Sequence, residues 1–463
     1  MNNSVKQKNI ALILWLCTIL LFFSGLLFDF TGETLGLVFP YYFLVLTCIL
    51  SGLALSYYLY IAVSAYCYHP AQLLSLNDLP GCTVIVPAYN EGPHVAETLN
   101  SILSADYPQE KLEIIAIDDG SADDTLYWIE EVSSRNPGRI TVIHFPRNQG
   151  KKHGLYTGFL KAKYDIAVTV DSDTILESGA LQQIVSGFSD PEVGSVAGNI
   201  RIRNLNEGIL PRMMDVGFMF GFEVIRCAQS LIGCVMCTPG AFSAYRRSLL
   251  FPFLDKWMKQ KFLGIPATTG EDRALATMMI CSGKKVVFQR EAVAHTCIPS
   301  NYTRFCKMLL RWTRSDIREN AIIFIHAFKK LQCNHIRIGL QYHALVQWIN
   351  TLIPGIFPLA MIVILFFMPL TFFALLYCGI FCSCVAALIP TFIYAKRVSG
   401  VFSVWGIFFA IYNTLLLSWI VPYSFITVKN SGWLTRDLQN KNINRGKIQK
   451  NVFWVQKNTG HNK

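Results

Sequence analysis

Apolar residues gather toward both ends of the chain and charged residues gather between them, and this division constrains the fold most strongly. Residues 10–28 form an almost uninterrupted apolar run behind Lys6 and Lys8. Residues 39–63 form a second, which carries Tyr41, Tyr42, Tyr57, Tyr58 and Tyr60. Each is close to the roughly 20 residues that cross a bilayer. A secretory signal has a shorter core and a small-residue cleavage site, and no clear site follows. Residues 343–395 hold apolar length for two more spans, with a break expected between Pro354 and Pro369. Residues 402–426 add a further run. A single crossing there would put the basic tail (Lys429, Arg436, Lys441, Arg445, Lys447, Lys450) outside, against the preference of Lys and Arg for the cytoplasmic side. A re-entrant or tightly paired segment around Pro422 is therefore expected, since irregular backbone at membrane depth is tolerated where protein walls it.

Only 15% of the 463 residues are charged and 52% are hydrophobic, whereas soluble domains carry about 25% charged residues. That balance excludes a soluble enzyme. The 41 basic and 30 acidic residues crowd into the middle and the extreme C-terminus, which excludes a uniform membrane bundle. The formal charge of +11 does not form a basic stripe beside stacking aromatics, so nucleic acid is not expected as a partner. Fourteen cysteines are scattered, several of them inside apolar runs, and Cys234 and Cys237 make one CxxC with no second pair at zinc spacing. They read as packing residues in a reducing cytosol. No internal repeat suggests a repeat-built transporter.

Between the apolar ends, short apolar strands alternate with helix-like stretches. The strands are read at residues 82–87, 112–117, 140–145 and 165–170, and helices at 95–103 and 123–133. This alternation predicts an α/β domain with a mostly parallel sheet and helices on both faces. Such sheets bind ligands beyond the carboxyl ends of their strands, and polar clusters fall there. Pro87-Ala88-Tyr89-Asn90-Glu91 leaves the first strand and Asp118-Asp119-Gly120-Ser121 the second; an aromatic and a carboxylate at adjacent strand ends suit a nucleobase and ribose. Asp171-Ser172-Asp173 ends the fourth strand, and paired carboxylates there suit Mg²⁺ or Mn²⁺ bridging a diphosphate. They also suit a helix N-cap. Gly150-Lys151-Lys152-His153 brings two cations to the same edge. Gly270-Glu271-Asp272-Arg273 opens an apolar-periodic helix, where Asp272 is either a dipole-stabilised cap or a general base. Residues 301–330 mix aromatic and aliphatic residues with Arg and Lys, the pattern of one or two amphipathic helices on a membrane surface. Arg311-Trp312 lies within them.

In combination and in this order, these motifs resemble the inverting, processive, membrane-embedded family-2 glycosyltransferases of GT-A fold. Gly198-Asn199-Ile200-Arg201-Ile202-Arg203-Asn204, Ala228-Gln229-Ser230 and the stretch from Arg311-Trp312 to Arg318 look most like hyaluronan synthases. Residues 233–237 and 240–248 look as much like rhizobial chitooligosaccharide synthases. Residues 428–436, with Trp433 and Arg436, resemble the loop that closes over the nucleotide in such synthases. Met308 stands where the family's QxxRW has Gln, and Leu434 where hyaluronan synthases commonly carry Gly.

The resemblance implies the following arrangement. Two N-terminal spans (1–70) precede a cytosolic GT-A domain (71–300), interfacial helices (301–335), a C-terminal membrane region (336–428) and a basic cytosolic tail (429–463). UDP-sugar binds with its base near Tyr89, Glu91 and Asp119. Mg²⁺ or Mn²⁺ joins its phosphates to Asp173 and Asp171. Asp272 deprotonates the acceptor hydroxyl, while Lys151, Arg311 and Trp312 serve the leaving diphosphate and the acceptor. The implied product is a GlcNAc-containing β-linked polysaccharide, foremost hyaluronan from UDP-GlcNAc and UDP-GlcA, extruded through the enzyme's own channel. A GlcNAc homopolymer, or transfer of one sugar to a lipid carrier, is the alternative. The implied location is the cell (inner) membrane, multi-pass, and the implied partners are the donors, the growing chain and the bilayer.

Overall fold

The computed structural model describes residues 38–329, 335–399 and 403–430. The 10–28 run, Trp433 and Arg436 lie outside the described residues.

An eight-stranded sheet forms the centre, in the order β3-β2-β1-β4-β7-β6-β10-β5. In chain order its strands are β1 Cys82–Ala88, β2 Leu112–Asp118, β3 Ile140–His144, β4 Ile166–Val170, β5 Ile175–Leu176, β6 Val193–Ile202, β7 Phe242–Arg246 and β10 Lys285–Thr296; β8 Lys261–Phe262 and β9 Ile265–Pro266 make a separate ribbon. Strands β1 to β4 are the four short apolar runs, and β1 and β4 are buried along their whole length. Burial on both faces is what continuous apolar strands of a parallel sheet require.

The sheet is mostly parallel, as expected, with six strands running one way and two reversed. Strand β7 runs antiparallel between β4 and β6, and β5 runs antiparallel to β10. The reversal has a consequence for the site. The carboxyl ends of β2, β1 and β4 and the start of β7 all reach the same sheet edge.

The Lys151–Lys161 helix packs on β1, and the Glu271–Cys281 helix contacts β10 and β6. Where one or two amphipathic helices were expected, a single continuous helix spans Tyr302–Lys329. It is covered on more than one side, by the Glu271–Cys281, His335–Phe367 and Ile420–Ile426 helices. It is therefore not a freely floating surface helix: Arg314, Arg318, Glu319 and Asn320 are all buried within it.

Two helices are long and apolar enough to cross a membrane, Ile338–Phe367 and Pro369–Val398. The break between them falls at Met368 and Pro369, while Pro354 and Pro358 stay inside a continuous helix. Pro369 occupies the first helical turn, where its missing N–H costs nothing. The Trp405–Leu417 and Ile420–Ile426 helices meet at a bend of 44°, as a broken span or a re-entrant loop would. The Val38–Cys67 helix docks two tyrosines on a neighbouring helix: Tyr57 and Tyr60 pack edge-on against Tyr342, and the Tyr57 hydroxyl lies 3.2 Å from Nδ1 of His343.

Candidate active site

A cavity of about 1160 Å³ opens at the carboxyl edge of the sheet and extends to the Tyr302–Lys329 helix. Tyr89, Glu91, Asp119, Lys151, Asp171, Asp173, Asp272, Arg311 and Trp312 all line it. Trp433 and Arg436 lie outside the described residues.

Strand alternation sorts the two aspartates at the end of β2. Asp118, fully buried, turns away to His144 on β3 at 2.7 Å. Asp119 follows the strand, donates its amide to the Ala88 carbonyl at 2.8 Å, and so stands beside Tyr89. Its carboxylate accepts the amides of Gln149 at 2.7 Å and Gly150 at 2.8 Å. Burial raises its pKa, and these two amides oppose the shift. Asp119 thus shapes the loop that delivers Lys151 while keeping lone pairs for a ligand.

Lys151 begins its helix at this loop. Its ammonium bonds Asp171 and lies 3.2 Å from Glu271. Burial alone disfavours the ammonium, but Asp171, Glu271 and Asp272 outweigh it and hold its pKa above the usual lysine value. The expectation of two cations at this edge is corrected: Lys152 turns out of the cavity, bonds the Ala267 carbonyl at 2.9 Å and lies over the Trp257 ring. Successive helical residues point about 100° apart, so only one of the pair can face the cavity.

Asp272 enters from the N-terminus of the Glu271–Cys281 helix. Its Oδ2 accepts the Gly240 amide at 2.9 Å, and its Oδ1 accepts the Arg273 amide at 2.7 Å. Burial, with Glu271 adding to it, pushes its pKa up to about 6. Gly240 sits where the charges converge: a Cβ there would lie 2.8 Å from Lys151 Nζ, 3.4 Å from Asp272 and 3.7 Å from Asp171. The absence of a side chain leaves room between cation and carboxylates.

The far wall of the cavity joins residues that the sequence motifs mark (Arg273, Trp312, Asp316) to unmarked ones (Phe218, Phe222, Arg226). Arg273 donates to Asp316, to Asn320 at 2.6 Å and to Gln347 at 3.2 Å. Asn320 in turn donates to Thr351 at 3.0 Å. This relay ties the helix bearing Asp272 to the Tyr302–Lys329 and Ile338–Phe367 helices. Trp312 packs against Phe218, and Phe218 against Phe222. Arg226 lies over the Phe222 ring, 3.6 Å from its centre. Phe222 and Arg226 sit on an irregular wide turn at Gly221–Arg226. Met308 is 5% exposed and belongs to an apolar cluster with Leu417 and Ile420, which accounts for a thioether where a polar amide was the family norm.

A magnesium-type ion takes oxygen ligands and commonly keeps water while using one or two carboxylates plus phosphate. Asp171 and Asp173 supply two carboxylates to the cavity. No group of three or more His, Cys, Asp or Glu forms a cage among the described residues. The donor set fits an open site completed by a diphosphate.

The model of glycosyl transferase family 2 matches residues 83–251. An N-acetylglucosaminyltransferase of Mesorhizobium japonicum is 35% identical over 247 residues, covering 53% of this chain and 58% of the relative. A hyaluronan synthase of Streptococcus pyogenes is 35% identical over 257 residues, covering 54% of this chain and 60% of the relative. The chain therefore spans less than two thirds of the length of these curated relatives. A mannosyltransferase from Pyrobaculum calidifontis, solved with GDP-Man and Mn²⁺, superposes with a TM-score of 0.54 at 21% identity, over 80% of this chain and 97% of that one. That likeness establishes the GT-A fold. Residues 83–251 of this chain are a glycosyl transferase family 2 domain.

Proposed function

We propose that the protein is a multi-pass membrane enzyme, with its sheet domain in the cytosol, that polymerises UDP-sugars into a β-linked polysaccharide and extrudes it. UDP-GlcNAc together with UDP-GlcA, giving hyaluronan, is the reading adopted. The observation that carries the proposal is the single cavity that joins Asp119, Asp173, Asp272 and Lys151 to Trp312 on a helix packed against the first span.

Tyr89 and Glu91 flank Asp119 and would receive the base and ribose. Lys151, held protonated by its carboxylate neighbours, would meet the diphosphate. Asp173 and Asp171 would hold a Mg²⁺ or Mn²⁺ ion, which neutralises the diphosphate as it leaves. Asp272 is ionised at neutral pH yet basic enough to accept a proton, the condition for an efficient general base. It would take the proton of the acceptor hydroxyl, whose oxygen then attacks the anomeric carbon on the face opposite UDP and inverts it. Trp312 and Arg311 would support the acceptor, and Trp433 and Arg436 would close over the nucleotide. The flanking spans would supply the exit channel.

A second reading, a GlcNAc homopolymer, is favoured by the equal 35% identity to an N-acetylglucosaminyltransferase. The deciding experiment incubates purified full-length protein in proteoliposomes with each UDP-sugar alone and with both. Polymer only from the pair supports hyaluronan; polymer from UDP-GlcNAc alone establishes the homopolymer; a single sugar on lipid refutes polymerisation. Chelation of divalent metal is expected to stop turnover, and full activity in chelator would dismiss the Asp171 and Asp173 site.

A further inference from the structure

The Gly221–Arg226 turn brings a guanidinium to the cavity wall. Arg226 donates its Nε to the Cys237 carbonyl at 3.2 Å and lies face-on over Phe222. Both contacts fix the plane of the guanidinium. They leave its two terminal nitrogens, the fork suited to planar oxygen pairs, for the cavity that the residue lines.

Four other buried or half-buried arginines have acidic partners: Arg201 and Arg290 share Glu223, Arg273 pairs with Asp316, and Arg318 with Glu319. Among the described residues no carboxylate lies within 4 Å of Arg226. A desolvated cation without a counter-group is costly, and the cost is recovered when a ligand supplies the missing acceptor.

The location indicates which ligand. Arg226 lines the cavity together with Asp272 and Arg273 and is bonded to Cys237, and Phe222 and Phe218 lead from it to Trp312. Its surroundings are thus those of the base and the interfacial helix.

Building on the proposed function, we infer that Arg226 forms an acceptor subsite that reads a planar oxygen-bearing substituent of the acceptor sugar. That substituent is either the carbonyl of an acetamido group or the carboxylate of a uronic acid. The subsite would make Arg226 a specificity-determining residue, with the Phe222 ring holding the fork flat.

The test measures binding of three disaccharides to the full-length protein in saturating UDP: N,N′-diacetylchitobiose, a glucuronate-terminated disaccharide, and cellobiose, which lacks both substituents. Wild type should bind at least one of the first two roughly tenfold or more tightly than cellobiose, as a hydrogen bond to a charged group permits. Arg226→Gln should abolish that preference, and Arg226→Lys, which keeps the charge without the fork, should reduce it. Whichever of the two substituted ligands is preferred identifies the substituent. Equal binding of all three by wild type, or a preference surviving in Arg226→Gln, overturns the assignment. So does an equal loss for all three disaccharides. UDP binding by each variant reports folding, and where Arg226→Gln fails to fold, Arg226→Lys decides. Failure of wild type to bind UDP would overturn the nucleotide-sugar reading instead, and the two failures are distinguishable.

Discussion

Asp272 carries its charge in a place that disfavours it. Its pKa stands at about 6 rather than 3.8 because burial and Glu271 outweigh Lys151 and the two amides. The proposed base must be deprotonated to act, so kcat/KM should fall as the pH drops through about 6; a profile flat to pH 4.5 would remove Asp272 from that role. Asp272→Asn should lower kcat by roughly 10²–10⁴-fold, the range for general bases, with UDP-sugar affinity nearly unchanged. Stability should move the other way. A carboxyl whose folded pKa is raised contributes stability that is lost as pH rises through the window between the two values. The Asn variant should therefore melt no lower than wild type at pH 8, with its relative advantage vanishing below pH 4; calorimetry in detergent reads both.

Elements meet at one tight point. Gly270 adopts φ +68°, and a Cβ on it would lie 2.3 Å from the Ser315 Cβ. The Glu271–Cys281 helix therefore starts in direct contact with the Tyr302–Lys329 helix, and Arg318 caps the contact by donating to the Thr269 carbonyl at 2.8 Å. Gly270→Ala should destabilise by about 1–3 kcal/mol through overpacking and misplace the neighbouring Asp272. Adding Ser315→Gly should restore part of the loss, since the left-handed backbone strain remains; absence of any rescue in melting temperature would refute the close-contact account.

The same elements show where sequence reading reached and where it stopped. Strands β1 to β4 are continuous apolar runs, and their ends lie within a residue of the expected positions. Strand β6 was not legible, because its buried positions include Ser195 and Asn199 and it contains Gly194 and Gly198. The Asn199 amide donates to a partner distant in the chain, Glu223, at 2.9 Å. The carboxylates of the cavity were legible as motifs at strand ends. Arg226 was not, because its place at the cavity depends on a turn without a spacing signature; Arg273 and Asp316 fell inside marked motifs, but their pairing depends on a helix contact that spacing does not reveal.

At the scale of the whole molecule, polar ties join the sheet domain to the second span. The Tyr394 hydroxyl donates to Asp215, itself 4% exposed, at 2.6 Å. Glu223 gathers Arg201, Arg290 and, from the last turn of the Pro369–Val398 helix, Arg397 at 3.4 Å. Tyr394→Phe would leave Asp215 short of a donor, a loss of about 1–3 kcal/mol. It should appear as earlier release of the sheet domain in limited proteolysis, and an unchanged cleavage midpoint would count against this tie. Since Arg273 donates directly to Gln347 and, through Asn320, is linked to Thr351 on the Ile338–Phe367 helix, a tilt of that rod reaches the residue next to the proposed base. Turnover should then respond to acyl-chain length in the surrounding lipid, giving the reaction a built-in gauge of bilayer thickness.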